Sequence, residues 1–201
     1  MRLSRILIGL LAVIVLIILI VWIFGGKKKP TVTPPPPPPP LSLPDYSSTD
    51  AVVSLTNDGI VNGDELHRAI RISISADSRE LDVIQGYSNN VIQKQTFYNT
   101  QDAFDVFLRA INGFGFLSKL SKPTAPTSPI GQCPLGSRYI FDLDQGGGDL
   151  SSTWASTCGK SVGTSSADAL NMLTLFRDQI PDYSKLTSNV NLSATAPQTS
   201  Q

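Results

Sequence analysis

Hydrophobic and polar positions divide the chain into four stretches of different character. Residues 6–24 (ILIGLLAVIVLIILIVWIF) form an unbroken apolar run with no charge and no proline. At ~1.5 Å of rise per residue, a helix of that length nearly covers the ~30 Å hydrocarbon core of a bilayer, and a helix satisfies its own backbone there. A single transmembrane helix is expected, acting as an uncleaved signal anchor. A cleaved signal peptide fits less well, because its apolar region usually holds about 7 to 15 residues and only Gly25-Gly26 resembles a cleavage site. Residues 25–46 are rich in lysine and then proline, with an unbroken proline run at 34–40. Consecutive prolines adopt polyproline II at ~3.1 Å per residue, so this run is expected to be a stiff stalk of about 20 Å.

The third stretch, residues 47–186, carries the alternations of a folded head. Residues 51–55 (AVVSL) are a short strand candidate, followed by turn signals at Asn57-Asp58-Gly59 and Asn62-Gly63-Asp64. Residues 69–76 place Ile70, Ile72 and Ile74 on one face and Arg71, Ser73 and Ser75 on the other, the pattern of a half-buried strand. Asp77-Ser78-Arg79 turns the chain into 80–85, where Leu81 and Val83 alternate, and residues 91–98 form the next strand. Thr100 is positioned to cap a helix whose Phe104, Phe107, Leu108 and Ile111 follow i, i+3, i+4, i+7, and Asn112-Gly113 ends it. The phenylalanines of 113–117 are expected to tuck into the core, and residues 119–131, with three prolines, read as a surface loop.

Residues 137–143 alternate Tyr139, Phe141 and Leu143 against Arg138, Ile140 and Asp142. After the glycines at 146–148, Leu150, Ser152, Trp154, Ser156 and Cys158 share one face of a further strand, with Trp154 as the expected core residue. A second helix starts at the capping pair Ser165 and Asp168, buries Ala169, Met172, Leu173, Phe176 and Ile180, and stops at Pro181. The fourth stretch, from residue 187 on, is Ser, Thr, Asn, Gln and Ala, too polar to order itself.

The expected fold is therefore α+β: a mainly antiparallel sheet of about five strands, in the order β-β-β-β-α-β-β-α, with two helices packed on one face. The domain reading is a cytoplasmic tail at 1–5, the anchor at 6–24, the stalk at 25–46, an extracytoplasmic domain at 47–186 and a disordered tail at 187–201.

Charge sharpens this picture. The chain has 16 basic and 16 acidic side chains, but Arg2, Arg5, Lys27, Lys28 and Lys29 all precede the first acid, Asp45. The remainder holds 11 basic and 16 acidic side chains, a formal net of −5. Nucleic-acid binders concentrate cations to neutralise phosphates, so no nucleic-acid partner is expected, nor a head lying on anionic lipid. Positive residues flank the span on both sides and nearly cancel as topology signals. Trp22 and Phe24 occupy the place of an interfacial aromatic anchor, and Lys27, Lys28 and Lys29 are expected among lipid head groups.

The two cysteines break the tie. If the last two strands pair about Gly147, Cys158 falls opposite Gly136, and the Cys133-Pro134-Leu135-Gly136 turn can return Cys133 beside it. Closing such a loop stabilises a fold by about 3 kcal/mol and requires an oxidising compartment. The alternative is two unrelated buried thiols. With one histidine in the chain, a structural zinc site lacks ligands. The head is therefore expected outside the cytoplasm.

Three stretches imitate chemical motifs. Gly159-Lys160-Ser161-Val162-Gly163 matches GxSxG between a strand and a helix, but the single histidine, His67, precedes the serine and the head lacks the parallel strands of that hydrolase fold. The same Gly159-Lys160-Ser161 ends a Walker-like string in which Trp154 replaces the first glycine, so no nucleotide is expected. Asp142, Asp144 and Asp149 surround three glycines as a calcium loop would, yet Thr153 stands where the bidentate glutamate belongs, and a solvated hairpin explains them as well. No metal and no cofactor is expected. His67 reads as an ordinary surface or satisfied histidine rather than a ligand or base. The sequon Asn191-Leu192-Ser193 matters only where the source glycosylates.

The functional expectation is a membrane-anchored, non-enzymatic binding or structural module of the cell envelope, with another envelope protein or polymer as partner. The alternative is a small envelope serine hydrolase using Ser161.

Overall fold

A computed structural model describes residues 42–123, 125–159 and 162–193, together with Val15 and Leu19. Apart from Val15 and Leu19, the expected span lies outside the described residues, as does most of the stalk; Trp22, Phe24, Lys27, Lys28 and Lys29 are among the residues not described. Among the described residues no helix is long and apolar enough to cross a membrane.

The head is an α+β unit built on one antiparallel sheet of six strands. They are β1 Val52–Asp58, β2 Arg68–Ile74, β3 Ser78–Gln85, β4 Asn90–Tyr98, β5 Arg138–Gln145 and β6 Gly148–Ser156, in the spatial order β4-β3-β2-β1-β5-β6. The six strands follow the expected chain order β-β-β-β-α-β-β-α, one more than the count of about five, and β1, expected as a short strand, is a full central strand paired with both β2 and β5. Asn57-Asp58-Gly59, expected as a turn, is mostly strand: Asn57 lies opposite Ile70 on one side and Tyr139 on the other. Turn preference yields here because Asp58 is held by long-range charge contacts to His67 and Arg138.

Cross-strand partners share a face, so the register gathers Val53, Leu55, Ile70, Ile72, Ile74, Leu81, Val83, Phe141 and Leu143 into one apolar surface. Helix α1, Gln101–Gly113, and helix α2, Ala169–Arg177, join the same cluster through Phe104, Phe107, Leu108 and Ile111 and through Met172, Leu173 and Phe176. Phe176 links the layers: it meets Phe107 edge-on at 5.0 Å and stacks on Phe116 at 6.1 Å, while Phe116 meets Phe141 at 5.9 Å. Phe114, in contrast, stays 38% exposed, so one of the two phenylalanines expected in the core is on the surface. A short helix α3, Tyr183–Leu186, follows.

The helix starts follow side-chain capping. Thr100 accepts from the Ala103 amide at 3.3 Å, and Asp168 accepts from the Asn171 amide at 3.3 Å. Ser165 does not cap α2. It accepts from the Ala167 amide and donates to the Ser118 carbonyl, fastening the segment before the helix.

Two boundaries of the head differ from the sequence reading. Its packed part starts earlier, because the 3-10 turn Leu43–Tyr46 buries Leu43 completely. It also ends later: Val190 and Leu192 pack against the core, and the Ile60 amide donates to the Leu192 carbonyl at 3.3 Å. Two apolar side chains in an otherwise polar tail suffice to dock its first turn-like residues.

Trp154 is buried, as expected of a core residue, but it lies opposite Ile140, on the face of the sheet turned away from the helices. Loop segments seal it. Its indole Nε1 donates to the Pro126 carbonyl at 3.0 Å, its amide donates to Thr164 Oγ1 at 3.0 Å, and its carbonyl accepts from the Thr164 and Ser165 amides. Gly163 has no room for a side chain, since a Cβ there would strike the Trp154 carbonyl.

Candidate functional site

The hairpin of β5 and β6 sets the cysteine pair. Arg138 faces Ser156, and continuing that register by two residues puts Gly136 opposite Cys158. Cys133 and Cys158 stand at disulfide geometry, Sγ–Sγ 2.00 Å and Cα–Cα 5.6 Å. Gly136 is required at this point, because a Cβ on it would come within 2.6 Å of Cys133 Sγ. The turn is fastened a second time by Arg138, which is 1% exposed. Its guanidinium donates to the carbonyls of Gln132 at 3.0 Å and Cys133 at 3.3 Å, to the Gly59 carbonyl, and to Asp58 Oδ2 at 2.7 Å.

Asp58 takes His67 on its other oxygen. His67 Nε2 lies 2.8 Å from Asp58 Oδ1, and Nδ1 lies 3.0 Å from the Ile60 carbonyl. The ring is 2% exposed and covered by Tyr87, stacked at 4.1 Å. His67 is thus a satisfied histidine, but an interior one rather than a surface residue. Both of its ring nitrogens face acceptors of the chain itself, which leaves neither for a serine hydroxyl. Ser161 lies outside the described residues. Beside this cluster, a mainly apolar hollow of about 420 Å³ opens between Ile84, Ile140, Tyr87 and Ile130.

The three acids of the glycine hairpin are neighbours. Asp144 and Asp149 face each other across the ladder, and Ser152 donates to Asp142 Oδ1 at 2.6 Å. Burial raises Asp142 above the usual carboxylate range, against the Ser152 hydroxyl and with a further push from Asp149. Burial, a hydrogen bond with Asp149 and the charges of Asp149 and Asp142 push Asp144 up to about 6. Such a group retains its proton into mildly acidic solution. Among the described residues no group of three His, Cys, Asp or Glu side chains is arranged to hold a metal ion.

A larger pocket, about 700 Å³, lies where the ends of β1, β5 and β6 meet α2, α3 and the docked chain at 190–193. Its walls are mixed: Ile60, Ile70, Leu135, Val190 and Leu192 are apolar, while Ser137, Thr157, Ser184 and Thr187 bring hydroxyls. Arg177, at the last turn of α2, is the single charged side chain among the described residues that line it. Its guanidinium sits over the Tyr183 ring at 5.1 Å, and its Nε is buried with no hydrogen-bond partner among the described residues. Asn57, 5% exposed, lines the same pocket, and its Oδ1 is also buried without a partner among the described residues. A buried acceptor left unmade costs about 1 to 3 kcal/mol, so two complementary orphans in one pocket call for an explanation.

Neither residue stood out in the sequence reading. The available signal was register: Val53, Leu55 and Asn57 alternate in step, so a polar side chain occupies an apolar position of a central strand. Reading Asn57 as a turn residue concealed it. Arg177 gave no signal, since a basic residue in the last turn of a helix is ordinarily explained by the helix dipole.

No protein-family model matches the chain, and no curated protein matches it.

Proposed function

We propose that the chain is a membrane-anchored binding or structural module of the cell envelope, with residues 6–24 in the bilayer, the N-terminus in the cytoplasm and a small acidic α+β head held outside on a polyproline stalk. The observation that carries this reading is the Cys133–Cys158 pair, whose disulfide geometry suits an oxidising space. The pocket lined by Asn57 and Arg177 supports a binding role, because Asn57 Oδ1 and Arg177 Nε are buried without partners among the described residues. The engaged nitrogens of His67 favour a non-enzymatic head. On this reading the partner is another envelope protein or polymer.

The test is thiol labelling of intact cells with and without prior reduction, combined with protease added from outside. Labelling of Cys133 and Cys158 only after reduction, together with cleavage of the head, is the expected result. Free thiols in a protease-protected head would overturn the reading and turn the proline run toward cytoplasmic proline-binding partners.

A further inference from the structure

We infer that the pocket between the sheet end and α2 binds the free carboxyl terminus of a peptide. The inference deepens the binding-module reading, on which it rests, by naming the ligand class of its pocket.

The argument starts from charge. The chain from Asp45 onward carries 11 basic and 16 acidic side chains, yet the described lining of this pocket contains one cation, Arg177, and no acid. Among the described residues the Arg177 Nε has no hydrogen-bond partner and the side chain makes no ion pair; the Tyr183 ring braces the guanidinium from one side. A carboxylate accepting in parallel from the braced guanidinium would supply the acceptor that the buried Nε lacks.

The second orphan selects among anions. Asn57 is held by the central strand of the sheet, so its Oδ1 is a fixed acceptor that demands an N–H or O–H from the ligand. A peptide terminus supplies both halves in one short unit: a carboxylate for Arg177 and the adjoining amide N–H for Asn57. A free phosphate is less well served, since it usually draws several cations or a helix N-terminus, and Arg177 sits at the C-terminal end of its helix. The apolar walls formed by Ile60, Leu135, Val190 and Leu192 accommodate a small aliphatic terminal side chain. The site is open at the surface, as capture of a chain end requires.

The test is titration of the purified full-length chain in detergent micelles with N-acetyl-Ala-Ala, its C-terminal amide and N-acetyl-D-Ala-D-Ala, followed through the arginine Nε–H resonances. The free acid of at least one stereochemistry is expected to shift the Arg177 signal saturably and to bind at least tenfold tighter than the amide. Preference for the L form points to a protein terminus, and preference for the D form to a wall-type stem peptide; either supports the inference. Arg177→Gln is expected to weaken binding at least tenfold and Asn57→Leu at least threefold, with melting temperatures no lower than that of the parent by more than a few degrees.

Equal binding of acid and amide, no binding of any peptide at 10 mM by the folded chain, or unchanged binding by Arg177→Gln overturns it. Because the titration uses purified protein, such a failure leaves the membrane topology standing, whereas the cell-labelling experiment fails or succeeds independently of the pocket.

Discussion

Replacing Arg138 by methionine should be among the most damaging single changes in the head. The side chain is 1% exposed and joins two places distant in sequence: Asp58 and the adjoining Gly59 carbonyl at the end of β1, and the Gln132–Cys133 backbone beside the cysteine pair. Methionine keeps much of the volume and removes every donor. The loss then has two parts, the broken pair with Asp58, which keeps only His67, and three carbonyls left without this donor. Breaking a buried pair by deleting one partner costs about 3 to 5 kcal/mol, and each carbonyl adds up to about 1 kcal/mol where water cannot reach it. Asp58 is 18% exposed and recovers some hydration, so a total of about 4 kcal/mol is the working value. For a domain of about 150 residues each kcal/mol moves the melting temperature by about 2 to 4 °C, giving a drop of about 8 to 16 °C. The assay is thermal unfolding of the full chain in detergent, followed by near-ultraviolet circular dichroism, with Arg138→Lys in parallel. Lysine keeps the charge but not the fork, and should fall between the two. A methionine variant melting within about 3 °C of the parent would refute the view that Arg138 fastens the cysteine turn to β1.

The remaining predictions concern other parts of the head. Reduction of the Cys133–Cys158 pair, 25 residues apart, should cost about 3 kcal/mol in urea unfolding, and a loss near zero would remove the disulfide from the account of stability. Asp144, whose folded pKa is raised to about 6 from 3.8, binds a proton more tightly in the native state; the stability this contributes is complete below about pH 4 and is lost as pH rises through about 6. Asp144→Asn should therefore stabilise at pH 7 by about 1 kcal/mol once solvent screening is allowed for, and not at pH 4; a gain equal at both values would refute the proton linkage. Asn57→Leu removes a buried unpaired acceptor and should raise stability by about 1 kcal/mol, so a destabilised Asn57→Leu variant with intact packing elsewhere would show that Asn57 has a partner in solution.

Much of the architecture is determined by local sequence. The alternation Ile70, Ile72, Ile74 and its counterpart Tyr139, Phe141, Leu143 fix which face of each strand is apolar, because side chains alternate with a period of two whatever the rest of the chain does. The spacing Phe104, Phe107, Leu108, Ile111 and the Thr100 cap define α1 in the same local way. Even the cysteine pair follows from one hairpin: the turn at 146–147 pairs Gln145 with Gly148, and a one-residue shift between Leu143 and Asp144 gives the register that brings Cys158 opposite Gly136.

Tertiary structure decided what local pattern could not. Asn57 and Asp58 have the composition of a turn, and become strand because Arg138, 80 residues away, supplies the charge that Asp58 needs. Pairing with Ile140 puts Trp154 on the face turned away from the helices, and its burial there depends on a loop reaching over the sheet to offer the Pro126 carbonyl. The polar tail docks only because Ile60 and Leu192 meet. The pocket of Asn57 and Arg177 exists for the same reason: a strand, a helix end and the docked chain after α3 converge on one volume. Periodicity records how a residue sits on its own element, whereas a site of this kind is made by residues far apart in sequence, whose meeting is settled by the packing of the whole sheet and its helices.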